Sequence, residues 1–231
     1  MVRTAPPFVR TLAGGHRVLL LGGLAVIHHG LPRLTKDVDI WLDPGESPDD
    51  WAAVLTGALQ DQPDTYLWDL SRRTKISADQ LADVISDVGV IRVGGLECDL
   101  DVFRVPNNLE TGDFDAAWSD SVPIGEEPFR VMDEPLLIAT KVDTDRPRDR
   151  DDITFLESRI RGKLAPLLAE CSLEQARAAF ARYADYLTCE AALKNPHPEV
   201  RSLAIETLRE FAAAQNPFAR EILQSLGEDP A

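Results

Sequence analysis

Cysteine is scarce in this chain. Three cysteines in 231 residues, Cys98, Cys171 and Cys189, are too few and too scattered for a disulfide framework or a zinc site. They point to a reducing compartment. Long apolar runs are missing too. None approaches the ~20 residues of a membrane span, so no membrane partner is expected. The opening stretch, MVRTAPPFVRTLAGGHR, has no long apolar core of a secretory signal, and a cytoplasmic location is expected. Positive charge is the third shortage. Lys and Arg number 24 against 39 Asp and Glu, a formal net charge of -15. Broad, nonspecific affinity for nucleic acid needs a basic surface, which this balance argues against. A local basic patch remains compatible with it.

Apolar residues are plentiful. At 44% they supply a real core, and the length suits one large or two modest domains. The richest stretch is Val18 to Leu42, VLLLGGLAVIHHGLPRLTKDVDIWL. Val18 to Leu21 reads as a buried strand, and Gly22-Gly23 stands where that strand hands over to a helix. Glycine lets a backbone approach a phosphate, and a helix N-terminus offers free N–H groups. Downstream, Asp37 and Asp39 share one face of a strand, while Val38 and Ile40 turn into the sheet. Two like charges side by side need a compensating partner, and a divalent cation such as Mg²⁺ is the simplest. The alternative is an edge strand with a solvated acidic face. His28 and His29 are adjacent, so they share a metal poorly. They read as structural or solvent-facing.

Val88 to Phe103 is the second informative stretch, VGVIRVGGLECDLDVF. Gly94-Gly95 between two β-rich runs signals a two-residue hairpin. In the second arm Glu97, Asp99, Asp101 and Phe103 share one face, opposite Leu96, Cys98, Leu100 and Val102. Beside the Asp37 strand, this arm would bring a third carboxylate to the first two.

Elsewhere the pattern is simpler. Pro6-Pro7 and Gly14-Gly15 bracket a short helix. Asp43 to Glu46 reads as a turn. Ser47 caps a helix reaching about Leu59, with Pro48 in its first position. Tyr66 to Leu70 is a short strand, and Ser71 to Lys75 a basic run, read as a solvated loop or a polyphosphate contact. Ser77 to Ser86 reads as a helix, and Asn107 to Glu127 as a surface wrap. Asp133 caps a helix ending near Val142. That helix delivers Lys141-x4-Arg146-x-Arg148-Asp149-x-x-Asp152, whose two acids share a helix face. From about residue 162 the chain reads as helical throughout, with Asn195-Pro196 and Asn216-Pro217 marking helix starts.

Gly-Gly, an apolar helix and then Arg33-x-Thr35-x-Asp37-x-Asp39 resemble the nucleotidyltransferase superfamily related to DNA polymerase β. The run from Lys141 through Arg146 to Asp149 and Asp152 resembles a second motif of its AbiEii-type bacterial branch. Many members carry Gly-Ser where this chain has Gly22-Gly23. The resemblance implies an α/β (α+β) fold, a mixed sheet flanked by helices, over residues 1–161; the helical pattern itself sets off an all-helical C-terminal module, 162–231. It implies Mg²⁺ (or Mn²⁺) on Asp37, Asp39 and Asp101, with Asp99 as the alternative third ligand. It implies an NTP as substrate and Gly22, Gly23, Arg33, Thr35, Lys141, Arg146, Asp149 and Asp152 around it. Lys141 would neutralise charge on the leaving group, and its loss would leave the empty protein nearly as stable. The acceptor implied is a hydroxyl of tRNA, a protein or a small molecule, and AbiEii-type relatives pair with an antitoxin. Two other readings share the residues: a non-enzymatic, nucleotide-sensing antitoxin or regulatory member, and an antibiotic-modifying nucleotidyltransferase.

Overall fold

A computed structural model describes residues 6–43, 47–60, 62–144 and 146–229. The turn read at Asp43 to Glu46 lies, past Asp43, outside the described residues. Two compact units divide between Thr154 and Phe155. Sequence reading sets the division later, at residues 161 and 162.

The first unit follows the order α1 (Pro7–Ala13), β1 (Val18–Leu21), α2 (Gly22–His28), β2 (Asp37–Leu42), α3 (Pro48–Leu59), β3 (Tyr66–Asp69), β4 (Thr74–Ile76), α4 (Leu81–Asp87), β5 (Val90–Gly94), β6 (Asp99–Phe103), α5 (Phe114–Asp120), β7 (Val122–Pro123), β8 (Arg130–Val131) and α6 (Glu134–Lys141). Helix α7 (Pro147–Leu168) starts there and carries the boundary between the units. All eight strands form one sheet in the order β4-β3-β5-β6-β2-β1-β8-β7. The sheet is mixed: β2 with β6 and β1 with β8 are parallel, the remaining pairs antiparallel. The unbroken apolar run Val18 to Leu21 is buried at every position, as a strand between two neighbours requires.

Local signals place the helices. Ser47 and Asp50 form a capping box with Pro48 in the first turn of α3, and Asp133 accepts from the Leu136 amide to start α6. One helix escaped the sequence reading. Asn107 to Glu127 is not merely a surface wrap, because α5 lies within it. Phe114 opens α5, is fully buried, and meets the Trp41 ring edge-on at 4.9 Å. Burying that aromatic contributes on the order of 2 kcal/mol, enough to dock a short helix among polar turns.

The expected two-residue hairpin at Gly94-Gly95 also changes. Gly94 belongs to β5, paired with Tyr66 of β3, and β6 starts only at Asp99. A side chain on Gly94 would run into the Tyr66 ring, and one on Gly95, at φ +85°, into the Asp64 carbonyl. These glycines serve packing against β3, so the connection lengthens.

The second unit, by itself, is helical: the rest of α7, then α8 (Leu173–Arg182), α9 (Tyr186–Ala192), α10 (Pro198–Ala213) and α11 (Pro217–Ser225). Leu168, Val200, Leu208, Leu223 and many alanines form its core, with the free thiols Cys171 and Cys189. Burial pushes the Cys189 thiol up to about 12, so it packs as a small apolar group. Asn216 caps α11 as expected. Asn195 does not start α10, which begins at Pro198 after His197. The buried Asn195 amide donates instead to the Leu168 and Cys171 carbonyls and closes the end of α7.

Candidate active site

Strands β2 and β6 run side by side in parallel, with Asp37 beside Asp99 and Asp39 beside Asp101. Alternation sends these four carboxylates to one face of the sheet. Val38, Ile40, Leu100 and Val102 fill the opposite face and are fully buried. The third carboxylate does stand beside the first two. Of the two alternatives, Asp101 is the enclosed one, 6% exposed, and faces Asp39. Asp99, half exposed, faces Asp37 at the start of the strand.

Such a row of acids repels itself. The cost shows at Asp39. Burial, then Asp37 and Asp101 beside it, push its carboxyl up to about 7, against the pull of Lys141 and the Gly23 amide. Part of Asp39 still opens to the cavity, but protein atoms surround the carboxyl closely enough to strip most of its water.

One cation answers the row from within the sheet. Strand β5 sets Arg92 against Asp101 from the other side. Arg92 Nε and Nη2 donate to the two Asp101 oxygens at 2.7 and 2.8 Å, and Nη1 reaches Asp99 Oδ2 at 3.3 Å. Sequence reading missed Arg92. It stands alone in the apolar run Val90-Ile91-Arg92-Val93, and only strand register reveals that it shares the acids' face.

The diglycine turns out to make room. Gly22 has φ +60°, which suits glycine, and a side chain there would collide with the Asp39 carboxylate. A Cβ on Gly23 would lie 2.7 Å from Thr35 Oγ1 and 2.8 Å from Arg33 Nη2. The Gly23 amide, expected to face a phosphate, donates to Asp39. Thr35 Oγ1 donates to Asp37 Oδ1 at 2.9 Å, so Thr35 holds an acid where nucleotide contact was expected.

Behind the acids lies a mostly buried ion network. Lys141, 7% exposed, sits 2.8 Å from Asp149 Oδ1 and 2.9 Å from Asp152 Oδ2. Asp152, fully buried, also accepts from Arg33 Nη2 at 2.7 Å. Asp149 accepts from Thr144 as well, and these contacts hold its carboxyl below the usual range despite partial burial. Two cations and two anions balance. The expectation that Lys141 matters little to the empty protein does not fit this geometry, since its removal leaves Asp149 and Asp152 buried and under-paired. Arg146 and Arg148 differ: both are exposed, and neither makes an ion pair or side-chain hydrogen bond among the described residues.

His29 is buried and structural. Its Nε2 faces the Met132 carbonyl at 2.8 Å and its Nδ1 lies 3.3 Å from Glu134. It thereby ties the end of α2 to the start of α6, the helices that carry the diglycine and Lys141. The basic run Ser71 to Lys75 stays on the surface. Arg72 pairs with Asp69 and Asp87, Lys75 lies over the Tyr66 ring, and neither lines the acidic cavity.

That cavity holds about 670 Å³. The metal and nucleotide residues singled out from the sequence line it, except Asp152, which stands behind Lys141, and Asp99, the alternative third ligand. An all-carboxylate donor set suits a hard divalent cation. Among the described residues, though, no three acidic, imidazole or thiol side chains are already grouped for a metal. No helix among the described residues is long and apolar enough to cross a membrane. No protein-family model matches the chain, and no curated protein matches it either.

Proposed function

We propose that this chain is a metal-dependent nucleotidyltransferase of the DNA polymerase β-related superfamily. It would move a nucleoside monophosphate from an NTP to an acceptor hydroxyl. One observation carries the reading: Asp37, Asp39 and Asp101 stand together on adjacent parallel strands, facing a cavity that the exposed Arg146 and Arg148 also line. Mg²⁺ or Mn²⁺, held by those three carboxylates, would supply the Lewis acidity that activates the acceptor and offsets triphosphate charge. Thr35 keeps Asp37 turned toward the cavity, and the Gly23 amide does so for Asp39. Arg146 and Arg148 supply positive charge where a departing pyrophosphate gathers negative charge. Lys141 keeps the floor of the site neutral through Asp149 and Asp152. The acceptor, be it tRNA, a protein or a small molecule, and an antitoxin partner rest on the family resemblance alone. A nucleotide-sensing, non-enzymatic role is the second reading, and the occupied Asp101 favours it.

Incubation of the protein and Mg²⁺ with each NTP labelled on its α-phosphate, with bulk tRNA or cell lysate, tests the first reading. Label should move onto an acceptor with wild type and not with Asp39→Asn. Nucleotide binding without transfer to any acceptor would leave the sensing role.

A further inference from the structure

We propose that Arg92 gates the acidic face: it occupies Asp101 in the empty protein and releases it when a nucleoside triphosphate offers the guanidinium a new partner. This rests on the metal and nucleotide reading above. In the empty protein Arg92 is a resident cation. Its two-pronged grip at 2.7 and 2.8 Å consumes the best acceptor directions of Asp101, and its third nitrogen reaches Asp99. A divalent ion taking Asp101 meets that positive charge directly, because both cations would share the same two oxygens. Metal alone therefore competes poorly.

A triphosphate changes the balance. Arg92 lines the same 670 Å³ cavity as Gly22, Asp37, Asp39 and Lys141, and 28% of its side chain is open. Its Cα stays pinned by the pairing of β5 with β6, while the long side chain turns about its own bonds. The planar guanidinium fork that fits a carboxylate fits phosphate oxygens equally well. Once phosphates enter, Arg92 exchanges one anion for another and Asp101 becomes available to the metal. The consequence is strong coupling: the metal binds well only together with the nucleotide. Lys141 plays no such part, because Asp149 and Asp152 enclose it from behind.

Mn²⁺ titrations followed by electron paramagnetic resonance, with and without a non-hydrolysable NTP analogue, test the gate without any need for turnover. Arg92→Gln keeps a hydrogen-bond donor near Asp101 but removes the charge. It should bind Mn²⁺ alone at least ~10-fold more tightly than wild type, since one charge-assisted hydrogen bond is worth about that factor. Its gain in Mn²⁺ affinity from the analogue should shrink correspondingly. Arg92→Lys, which keeps the charge and loses the fork, should fall between the two and carries the test if Arg92→Gln does not fold. Unchanged or weaker binding of Mn²⁺ alone by these variants overturns the gate, while tight wild-type binding of Mn²⁺ with the analogue would leave the nucleotidyltransferase reading standing. Wild type that ignores Mn²⁺ with and without the analogue sinks both.

Discussion

Asp39 concentrates the tension of the site in one carboxyl. Its value near 7 stands above the ordinary 3.8, chiefly through burial and then through Asp37 and Asp101. The folded chain therefore holds a proton at Asp39 that the unfolded chain has already lost between about pH 4 and 7. This group's contribution to stability is complete below about pH 4 and disappears as pH rises through 7. Asparagine at this position carries no such charge. Asp39→Asn should thus gain stability relative to wild type from pH 5 to pH 8, by on the order of 1–3 kcal/mol given ~1.4 kcal/mol per unit and relief shared with its neighbours. Urea midpoints of both proteins at the two pH values measure it, and parallel pH curves would refute the assignment. Residues of this kind were legible in the chain as Asp-x-Asp. Arg92 was not, because nothing local distinguishes an arginine that meets an acid across a sheet from one that meets water.

At the scale of elements, the junction of β1 and α2 shows how a short motif acquires its meaning from what packs on it. Gly22-Gly23 resembles a phosphate-approach turn in isolation. In place, it admits Asp39, Thr35 and Arg33 to the start of α2. Many members of the resembled superfamily carry serine where Gly23 stands, yet here Thr35 is tied to Asp37 and Arg33 to Asp152. Neither can yield freely to a new Cβ. Gly23→Ser should therefore cost about 1–3 kcal/mol of stability, typical of overpacking. It should also weaken Mn²⁺–nucleotide binding by displacing Asp37. Calorimetric melting with and without Mn²⁺ and an NTP analogue checks both effects; a variant as stable and as responsive as wild type would refute the packing role. The hairpin glycines, Gly94 and Gly95, teach the same lesson. Their dipeptide signals a tight turn, but the Tyr66 ring and the Asp64 carbonyl claim the space.

Across the whole molecule the governing quantity is the net charge of -15. Self-repulsion among exposed acids destabilises a folded chain, and salt screens it over about 10 Å at 0.1 M. The buried pairs among Lys141, Asp149, Asp152 and Arg33 are shielded from that screening. Raising NaCl from about 0.01 to 0.3 M should accordingly increase the melting temperature by a few degrees, a gain on the order of 1 kcal/mol. Differential scanning fluorimetry measures it. A drop in melting temperature would mean that surface ion pairs, such as Arg10 with Glu127, outweigh the repulsion.

Local chemistry is written along the chain, and it was readable there. Apolar runs gave β1, caps gave α3, α6 and α11, the helical C-terminal region followed from its unbroken helical pattern, and the mixed α/β class was what the family resemblance implied. The acids of β2 and β6 declared themselves by alternation. These features depend on neighbours within a few residues. Partnerships across the fold do not. That Asp101 is held by Arg92, that Lys141 is spent on Asp149 and Asp152, that Phe114 anchors α5 on Trp41, and that glycines clear space for acids all come from strand register and packing. Side chains far apart along the chain meet only after the backbone has closed, and the low dielectric of the folded interior then sets what their charges are worth.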